Sequence, residues 1–266
     1  MKNEMENFEL RFAEALKGAV LPMDEVLCHV GAVAGKRLRP QLVLMTARLF
    51  DEVNETTRRT ALFVELLHTA TLIHDDVVDG SDVRRGQPSV NARWNNQVAV
   101  LAGDYLLAKA MQFLSRPEDS LILNEMLHTT MAMSEGELMQ NSELSFRQAN
   151  SALCIPKSEI YLDIITRKTA MLLRSCCVGG ALSVGASQDI INKVGDFGLN
   201  LGLVFQMRDD ILDDDSMEAT TFAKELIPEY LDKALKALEA LIPFTKNIEA
   251  LEELRSLAMF SAQRVS

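Results

Sequence analysis

The stretch TRRTALFVELLHTATLIHDD (residues 57–76) has the spacing of a buried α-helix. Residues that share one helical face recur along it at steps of three and four positions: Ala61, Val64, Glu65, His68, Leu72 and Asp75. Between residues 61 and 73 the segment is apolar on almost every face, as expected of a helix at the centre of a large bundle. This core helix nevertheless ends in adjacent aspartates.

The same periodicity continues along the chain, in LAGDYLLAKAMQFL (101–114) and GDFGLNLGLVFQMRDDILDD (195–214). Alternation typical of strands is hard to find, and no flexible linker interrupts the pattern. Prolines stand at plausible helix starts or turns: Pro40, Pro88, Pro117, Pro156, Pro228 and Pro243. We therefore predict an all-α fold, a single large helical bundle of about ten helices that forms one domain over residues 1–266.

Composition excludes several classes of protein. The chain has 266 residues and a net charge of −11, which argues against a nucleic-acid surface or a polybasic membrane patch. No apolar run reaches the ~18 residues that a transmembrane helix needs. The four cysteines, with Cys176 and Cys177 adjacent, have neither metal-ligand spacing nor a disulfide framework. Buried free thiols in a reducing cytoplasm are the simplest interpretation.

Two aspartate clusters follow apolar helices. They have the same D-D-x-x-D spacing: Asp75, Asp76 and Asp79 in one, Asp209, Asp210 and Asp213 in the other. Carboxylates four residues apart share a helical face and repel each other, and a helix C-terminus also disfavours anions. A solvated surface would explain one such cluster, but not two on separate apolar helices. Mg²⁺ resolves the conflict, because it binds carboxylate oxygens and bridges to substrate phosphates.

Basic residues accompany these carboxylates and favour a phosphorylated ligand. GKRLRP (35–40) has the form of a loop entering a helix, where backbone N–H groups and cations hold phosphate, although P-loop spacing is missing. Taken singly, each of the other candidates is an ordinary helix residue, and only their alignment with the acidic clusters gives them weight. They are Arg84 and Arg85 after the first cluster, His68 two turns before Asp75, and Lys168 and Thr169 in TRKTA (166–170).

Taken together, these segments resemble the trans-isoprenyl diphosphate synthases, the head-to-tail prenyltransferases. Five motifs of that family occur in order within residues 31–213: GKRLRP, HDDVVDGSDVRRGQPS, GDYLLAKA, TRKTA and FQMRDDILD. The segment LEELRSLAMFSAQR (251–264) is similar to the family's last helix. The resemblance implies an isoprenoid-synthase bundle around a deep central cavity, with the two acidic motifs facing each other, usually in a homodimer. It also implies the extension of an allylic diphosphate by isopentenyl diphosphate to a polyprenyl diphosphate, with release of pyrophosphate.

The resemblance assigns roles to individual residues. Mg²⁺ is expected on all six aspartates, with Asp76 and Asp213 acting from behind the others or through water. The residues expected to act in catalysis are Asp75, Asp79, Arg84, Lys168 and Asp209. Arg84, Lys168, Thr169 and Gln206 are expected to hold the allylic diphosphate, and Lys36, Arg39, His68 and Arg85 the diphosphate of isopentenyl diphosphate. The released pyrophosphate can accept the proton that is lost after condensation.

Residues just before the first motif are expected to set product length. Ala70 and Thr71 are small, and Leu67 lies further down the helix, whereas short-chain members of the family place a bulky aromatic residue there. Small side chains leave the path of the growing chain open, so we predict a long product, in the C30 to C50 range. Ala70→Phe is expected to shorten it.

The chain departs from the family after DDILDDD (209–215). The family continues there with a lysine and a longer segment that completes the cover of the active site, but here SMEATTFAKELIPEYL (216–231) follows directly. Either the segment is truly absent, or the sequence is interrupted after Asp215 and numbered through the gap. We favour the second explanation because the flanking helices look intact, and the intact mass of the protein distinguishes the two.

Two other functions remain open from the sequence. A terpene cyclase also uses an aspartate-rich motif with Mg²⁺, but it typically carries one such motif and lacks GKRLRP. A non-catalytic regulatory subunit of a synthase usually loses an aspartate motif, and both are complete here. The missing segment is the one feature in favour of the silent subunit.

Overall fold

The computed structural model of the chain describes residues 1–32, 35–141, 157–213 and 217–264. Its longer helices are, in chain order, α1 (Lys2–Ala15), α2 (Leu21–Gly31), α3 (Leu38–Phe50), α4 (Glu55–Val78), α5 (Val90–Arg93), α6 (Asn96–Phe113), α7 (Ser120–Asn141), α8 (Lys157–Ile165), α9 (Met171–Ser183), α10 (Gln188–Asp213), α11 (Met217–Glu239) and α12 (Ile248–Gln263). Short 3₁₀ turns lie at Pro117–Asp119 and Ile242–Phe244, and a π-turn (Thr166–Ala170) joins α8 to α9. The predicted all-α fold is confirmed.

One small hairpin is the exception to the helical architecture in the described ranges. Strand β1 (Val83–Arg84) pairs antiparallel with β2 (Gln87–Pro88). The two residues between the strands, Arg85 and Gly86, have φ values of 52° and 78°. Positive φ at both central residues is the requirement of a type I′ turn, which matches the twist of a two-stranded ribbon. The RRG sequence thus turns a corner just after α4.

Helix α4 lies at the centre of the bundle, as its sequence predicts. It begins where the Asn54 side chain accepts a hydrogen bond from the Thr57 backbone N–H (3.0 Å), while the Thr57 hydroxyl accepts one from Asn54 N–H (3.3 Å). Its 24 residues extend about 36 Å. Most of its first four turns are buried; Phe63 and Leu66 are fully enclosed, and buried residues of α3 and α9 belong to the same hydrophobic core.

Glycines let helix α10 approach α9 and the π-turn closely. A Cβ added to Gly202 would lie 2.5 Å from Ala170 Cα, and one added to Gly198 would lie 2.8 Å from Arg174 Cα. No side chain fits at these separations, so the GLNLG sequence (198–202) is the condition for backbone contact between the two elements. The approach brings the C-terminal half of α10, with its acidic cluster, beside the TRKTA segment.

The junction at which the family segment is missing connects α10 to α11. Helix α10 ends at Asp213 and α11 begins at Met217, and residues 214–216 lie outside the described residues. Whether a segment is absent, and whether residues 1–266 form one domain, therefore stay predictions. Within the described ranges no single helix is long and apolar enough to cross a bilayer; α6 and the segment Pro117–Asn141 pass such a test only as a pair bent by 103°.

The close approach of α10 predicts an asymmetric response to added methyl groups. Gly202→Ala should lower the free energy of unfolding by about 1–3 kcal/mol, because the new Cβ overlaps the backbone of Ala170. Gly195→Ala, in the same helix, is the matched control: its Cβ would lie 3.4 Å from Val178 Cγ2, an ordinary contact, so helix propensity should leave stability unchanged or higher. Urea denaturation followed by circular dichroism measures both. Equal stability of the two variants would contradict the packing described.

Candidate active site

One cavity of about 670 Å³ gathers most of the residues that the sequence singled out. It lies between α4, the loop before α3, the β1–β2 hairpin, the π-turn and α10. Predicted site residues on its walls are Lys36, Arg39, His68, Thr71, Asp75, Asp79, Arg84, Arg85, Lys168, Thr169, Gln206, Asp209 and Asp213. The two acidic clusters thus open into a shared space. Asp76, Asp210, Ala70 and Leu67 do not line it.

The first acidic cluster divides between the cavity and the protein interior. His68, Leu72, Asp75 and Asp79 form one stripe of α4 and its C-cap, and all four line the cavity. Asp76 is rotated away and buried, with 3% of its surface exposed. Its Oδ1 accepts a hydrogen bond from Arg84 Nε (2.9 Å) and a shorter one from the same guanidinium. Asp76 therefore anchors the hairpin that carries the two arginines.

The second cluster on α10 is divided in the same way. Gln206, Asp209 and Asp213 line the cavity, whereas Asp210 is buried. Both Asp210 oxygens accept hydrogen bonds, one from Tyr161 Oη (2.6 Å) and one from Gln206 Nε2 (2.7 Å). Burial raises the pKa of the Tyr161 hydroxyl, and the hydrogen bond to Asp210 raises it further. Asp210 therefore orients Gln206 rather than opening into the cavity.

An arginine near the C-terminal end of the described residues lies beside the second cluster. The Arg264 guanidinium pairs with Asp209 Oδ1, and it also lies over the Phe205 ring at 4.5 Å. Its backbone carbonyl accepts a hydrogen bond from Arg208 Nε (2.6 Å), which ties the end of α12 to α10. Sequence reasoning did not assign Arg264 a role, because nothing local connects residues 209 and 264.

The π-turn places Lys168 and Thr169 on the cavity wall. Thr169 Oγ1 donates a hydrogen bond to Gln206 Oε1 (2.8 Å), which links this turn to the network of Asp210. Lys168 Nζ lies 2.7 Å from Glu137 Oε2 on α7. π-Helical turns are rare in proteins, and those that occur are often found at functional sites. Glu137 and Tyr161 are functional candidates that the sequence analysis missed, and only tertiary contact identifies them.

Cations dominate the other end of the cavity. Lys36, Arg39 and Arg85 line it with His68. Arg39 Nε is buried and donates to no acceptor in the described residues. Burial lowers the pKa of Arg39, although the Glu65 carboxylate opposes that fall. Burial and the surrounding arginines hold the pKa of His68 well below its usual value. Such a group of cations, with His68 neutral at pH 7, is suited to an anion.

Two details of this basic end explain its sequence. Arg37 lies in the left-handed region (φ 53°) and pairs with Glu65 (2.8 Å) and Glu9 (2.9 Å), so it ties α1 to α4 and acts structurally. A Cβ on Gly35 would lie 2.9 Å from the Arg85 guanidinium, so glycine makes room for that arginine beside the loop. Among the basic residues of GKRLRP, Lys36 and Arg39 remain available to a ligand.

Burial also shifts the titration of Asp75 in the first cluster. It raises the pKa of Asp75 to about 6, and the nearby Glu137 carboxylate adds to that rise, while Lys168 opposes it. A carboxylate held in its charged form at such a cost gains free energy when a cation binds. A bound cation would therefore stabilise the ionised form of Asp75.

The carboxylates on the acidic walls have the chemistry to bind Mg²⁺ together with the phosphate oxygens of a bound molecule. Their donors are carboxylate oxygens, which hard divalent cations prefer. In the described part of the chain no three Asp, Glu, His or Cys side chains come close enough to form a ready-made metal centre. Mg²⁺ is commonly held by one or two carboxylates together with substrate phosphates, so separate carboxylates on two walls are compatible with it.

The residues expected to set product length are not equivalent. Thr71 lines the cavity, and its hydroxyl donates a hydrogen bond to the His68 carbonyl (2.9 Å). Ala70 and Leu67 are buried in the core, with 2% and 0% of their surface exposed. The roles assigned to these three residues stay predictions, and Thr71 is the one in direct contact with the cavity.

Comparison with known proteins agrees with this arrangement. The family model of polyprenyl synthetase matches residues 22–226. The chain is 33% identical over 214 residues to heptaprenyl diphosphate synthase component 2 of Geobacillus stearothermophilus (80% of this chain, 64% of the relative). It is 37% identical over 214 residues to the all-trans-nonaprenyl-diphosphate synthase (geranyl-diphosphate specific) of Rhodobacter capsulatus, covering 80% of this chain and 63% of that relative. The chain thus spans just under two thirds of these curated relatives.

Solved structures share the fold over nearly the whole chain. Heptaprenyl diphosphate synthase from Staphylococcus aureus superposes with a TM-score of 0.86 at 25% identity, over 100% of this chain and 98% of the other. Polyprenyl synthase from Caulobacter crescentus, complexed with calcium and isoprenyl diphosphate, gives 0.82 at 28% identity, over 100% and 96%. The two acidic walls, the bundle and the match over residues 22–226 lead to one conclusion: the chain belongs to the polyprenyl synthetase family.

Proposed function

We propose that the chain condenses isopentenyl diphosphate with an allylic diphosphate, head-to-tail and in trans, to give a long-chain polyprenyl diphosphate and pyrophosphate. One observation carries this proposal: a single cavity has carboxylates of both acidic clusters on its walls and a group of cations at one end. That arrangement suits two diphosphates, one held through metal and one held directly. The names of the relatives, all prenyl or polyprenyl synthases, support the same reaction.

The acidic walls would hold the allylic diphosphate. Mg²⁺ bound there would neutralise the diphosphate and stabilise the charge that develops on the leaving pyrophosphate. Asp75, Asp79 and Asp209 are the proposed ligands, while Asp76 and Asp210 keep Arg84 and Gln206 in place through the contacts described above. Lys168, Thr169 and Gln206 line the same space. Lys168 and the second N–H of Gln206 would donate to the diphosphate oxygens, and Thr169 would do so by releasing its hydrogen bond to Gln206.

The basic end would hold isopentenyl diphosphate. Lys36, Arg39, His68 and Arg85 supply donors, and the Arg39 Nε without a partner is the group that gains most from an incoming anion. Ionisation breaks the allylic C–O bond and leaves a carbocation. The double bond of isopentenyl diphosphate attacks that carbon, a new C–C bond forms, and the proton lost from the adjacent carbon passes to pyrophosphate. No side-chain base is required.

Apolar side chains complete the proposed reaction space. Leu72, Met133 and Phe205 line the cavity between its charged ends. They would exclude water, which would otherwise capture the carbocation. The aromatic face of Phe205 can also stabilise positive charge nearby.

We also propose that the protein works as a homodimer in a reducing, cytoplasmic setting. Val78 and Leu138 are exposed and line the smaller cavity that adjoins the site, and Val100 and Leu101 on α6 are exposed as well. An exposed apolar group of this kind favours protein contact. Cys176 and Cys177 are free and buried, as expected, whereas Cys28 is free but exposed; free thiols agree with a reducing compartment. One relative is named as component 2 of a heptaprenyl diphosphate synthase. The alternative is therefore that this chain pairs with a different polypeptide, as its non-catalytic subunit.

The function is tested by assay of the full chain with Mg²⁺, farnesyl diphosphate and labelled isopentenyl diphosphate. We expect linear polyprenyl diphosphates of C30 or longer, together with one pyrophosphate for each condensation, identified by mass spectrometry. Asp75→Asn and Asp209→Asn should each lower kcat at least about 100-fold, because each removes charge that holds the leaving group. A cyclic hydrocarbon would indicate a cyclase, and absence of turnover would favour the silent subunit.

Product length should respond to Thr71. Thr71→Phe places an aromatic ring on the cavity wall one turn from Asp75, so the distribution should shift to shorter products while the first condensation continues. Thr71→Ser is the matched control, because it keeps the hydroxyl and the small volume at the same position of the wall. Chromatography of the dephosphorylated products measures both variants. Unchanged long products from Thr71→Phe would exclude this wall as the path of the growing chain.

The raised pKa of Asp75 predicts a pH-dependent change in stability. Above pH 6 the folded, metal-free protein carries an ionised Asp75 at a cost that the unfolded chain does not share, and the cost vanishes as pH falls toward 4 and both states bind the proton. Asp75→Asn should therefore raise the free energy of unfolding by about 1 kcal/mol at pH 7, after allowance for solvent screening, and by little at pH 4. Denaturation in the presence of a chelator at the two pH values tests this sign.

A further inference from the structure

A third acidic residue lies at the boundary of the proposed site. Glu137 on α7 pairs with Lys168 at 2.7 Å, and the side chains are 17% and 30% exposed. Glu137 also accepts a hydrogen bond from Asn141 Nδ2 through Oε1 (3.0 Å), so both carboxylate oxygens have partners. Neither aspartate motif includes it, and the roles assigned above do not use it.

The fold holds this pair in place from both sides. A Cβ on the preceding Gly136 would lie 2.7 Å from Lys168 N, so glycine is what allows α7 to lie against the π-turn. On the other side, Thr169 is bound to Gln206. The turn that carries Lys168 is thus fixed between α7 and α10, while the ammonium, on its flexible side chain, takes its direction from the carboxylates within reach.

Glu137 contacts Lys168 on the side away from the main cavity. It lines a second cavity of about 330 Å³, which shares Thr71, Asp75, Met133 and Lys168 with the larger one. Glu137 itself does not line the larger cavity. Lys168 therefore stands between the two spaces, with Glu137 on one side and the proposed diphosphate site on the other.

Asp75 competes for the same ammonium. It lines both cavities with Lys168, and the two charges are close enough for Lys168 to oppose the rise in the pKa of Asp75. If Glu137 were neutral, the ammonium would turn to Asp75, the carboxylate that lines both cavities together with Lys168. That contact would occupy an oxygen that the proposed function assigns to a cation.

We propose that Glu137 is a positioning residue that keeps Lys168 off Asp75 and directed at the allylic diphosphate. The proposal deepens the proposed function and rests on it. The proposed effect is selective. Loss of Glu137 should weaken binding at the metal-dependent diphosphate site and leave binding at the basic end unchanged, because Met133 is the one residue of α7 that lines the main cavity.

The test compares two neighbouring ion pairs. Glu137→Gln keeps the shape of the side chain and removes its charge. Glu135→Gln is the matched control, because Glu135 pairs with Arg167 (2.5 Å) at the exposed surface and lines neither cavity. Calorimetry with inorganic pyrophosphate and Mg²⁺ measures binding without turnover. We expect about tenfold weaker binding for Glu137→Gln and a change below about twofold for Glu135→Gln.

Kinetics separate positioning from a general structural effect. Glu137→Gln should raise KM for the allylic diphosphate and lower kcat, with KM for isopentenyl diphosphate nearly unchanged, while Glu137→Asp, which keeps the charge, should recover part of the loss. If Glu137 acts through Lys168, adding Glu137→Gln to Lys168→Gln should have almost no further effect. Additive losses, or equal changes in both KM values, would overturn the proposal.

Failure of the two proposals can be told apart. Wild-type protein that neither binds Mg²⁺-pyrophosphate nor forms product overturns the proposed function and this inference with it. Wild-type protein that binds and turns over, alongside an unchanged Glu137→Gln variant, overturns the inference alone. Thermal unfolding of each variant at pH 7 verifies that it is folded, and Glu137→Asp supplies the second reading if Glu137→Gln is unstable.

Discussion

Uncompensated charge around one cavity is the constraint on which the site depends. On one wall burial makes ionised Asp75 costly, and at the basic end the Nε of Arg39 has no acceptor in the described residues. The two excesses have opposite sign, yet they lie on different walls and do not cancel by direct contact. A cation shared with one diphosphate would remove the cost at Asp75, and a second diphosphate would remove the cost at Arg39. The free protein is therefore suited to binding substrates rather than to maximal stability.

Each acidic cluster solves the same problem in the same way. Consecutive aspartates on a helix point about 100° apart, so one faces the cavity while the next is turned inward. The inward member is buried and paired: Asp76 with Arg84, and Asp210 with Tyr161 and Gln206. A buried carboxylate is tolerated only with such partners. The doubled aspartate therefore combines a residue for ligands with a residue that holds the neighbouring donors in position.

Close backbone contacts provide the precision of the arrangement. Gly202 permits α10 to touch Ala170, and Gly136 permits α7 to touch Lys168, so three elements meet at the π-turn with no side chain between them. The hairpin adds a second fixed point, where Arg85 accepts a positive φ and its guanidinium lies against Gly35. Small residues at these points let charged side chains from distant parts of the sequence lie within a few ångströms of each other.

The sequence by itself determined the helical bundle, the stripe from His68 to Asp79 and the residues that meet in the cavity, because periodicity and local motifs carry that information. It could not reveal Glu137, Tyr161 or Arg264, since each acts through a contact with a residue between 31 and 55 positions away. Nor could it separate Thr71 from Ala70, or show that Arg37 is held in ion pairs with Glu9 and Glu65. Those distinctions depend on which side of a helix faces a cavity and which partner lies across it, and only tertiary packing decides both.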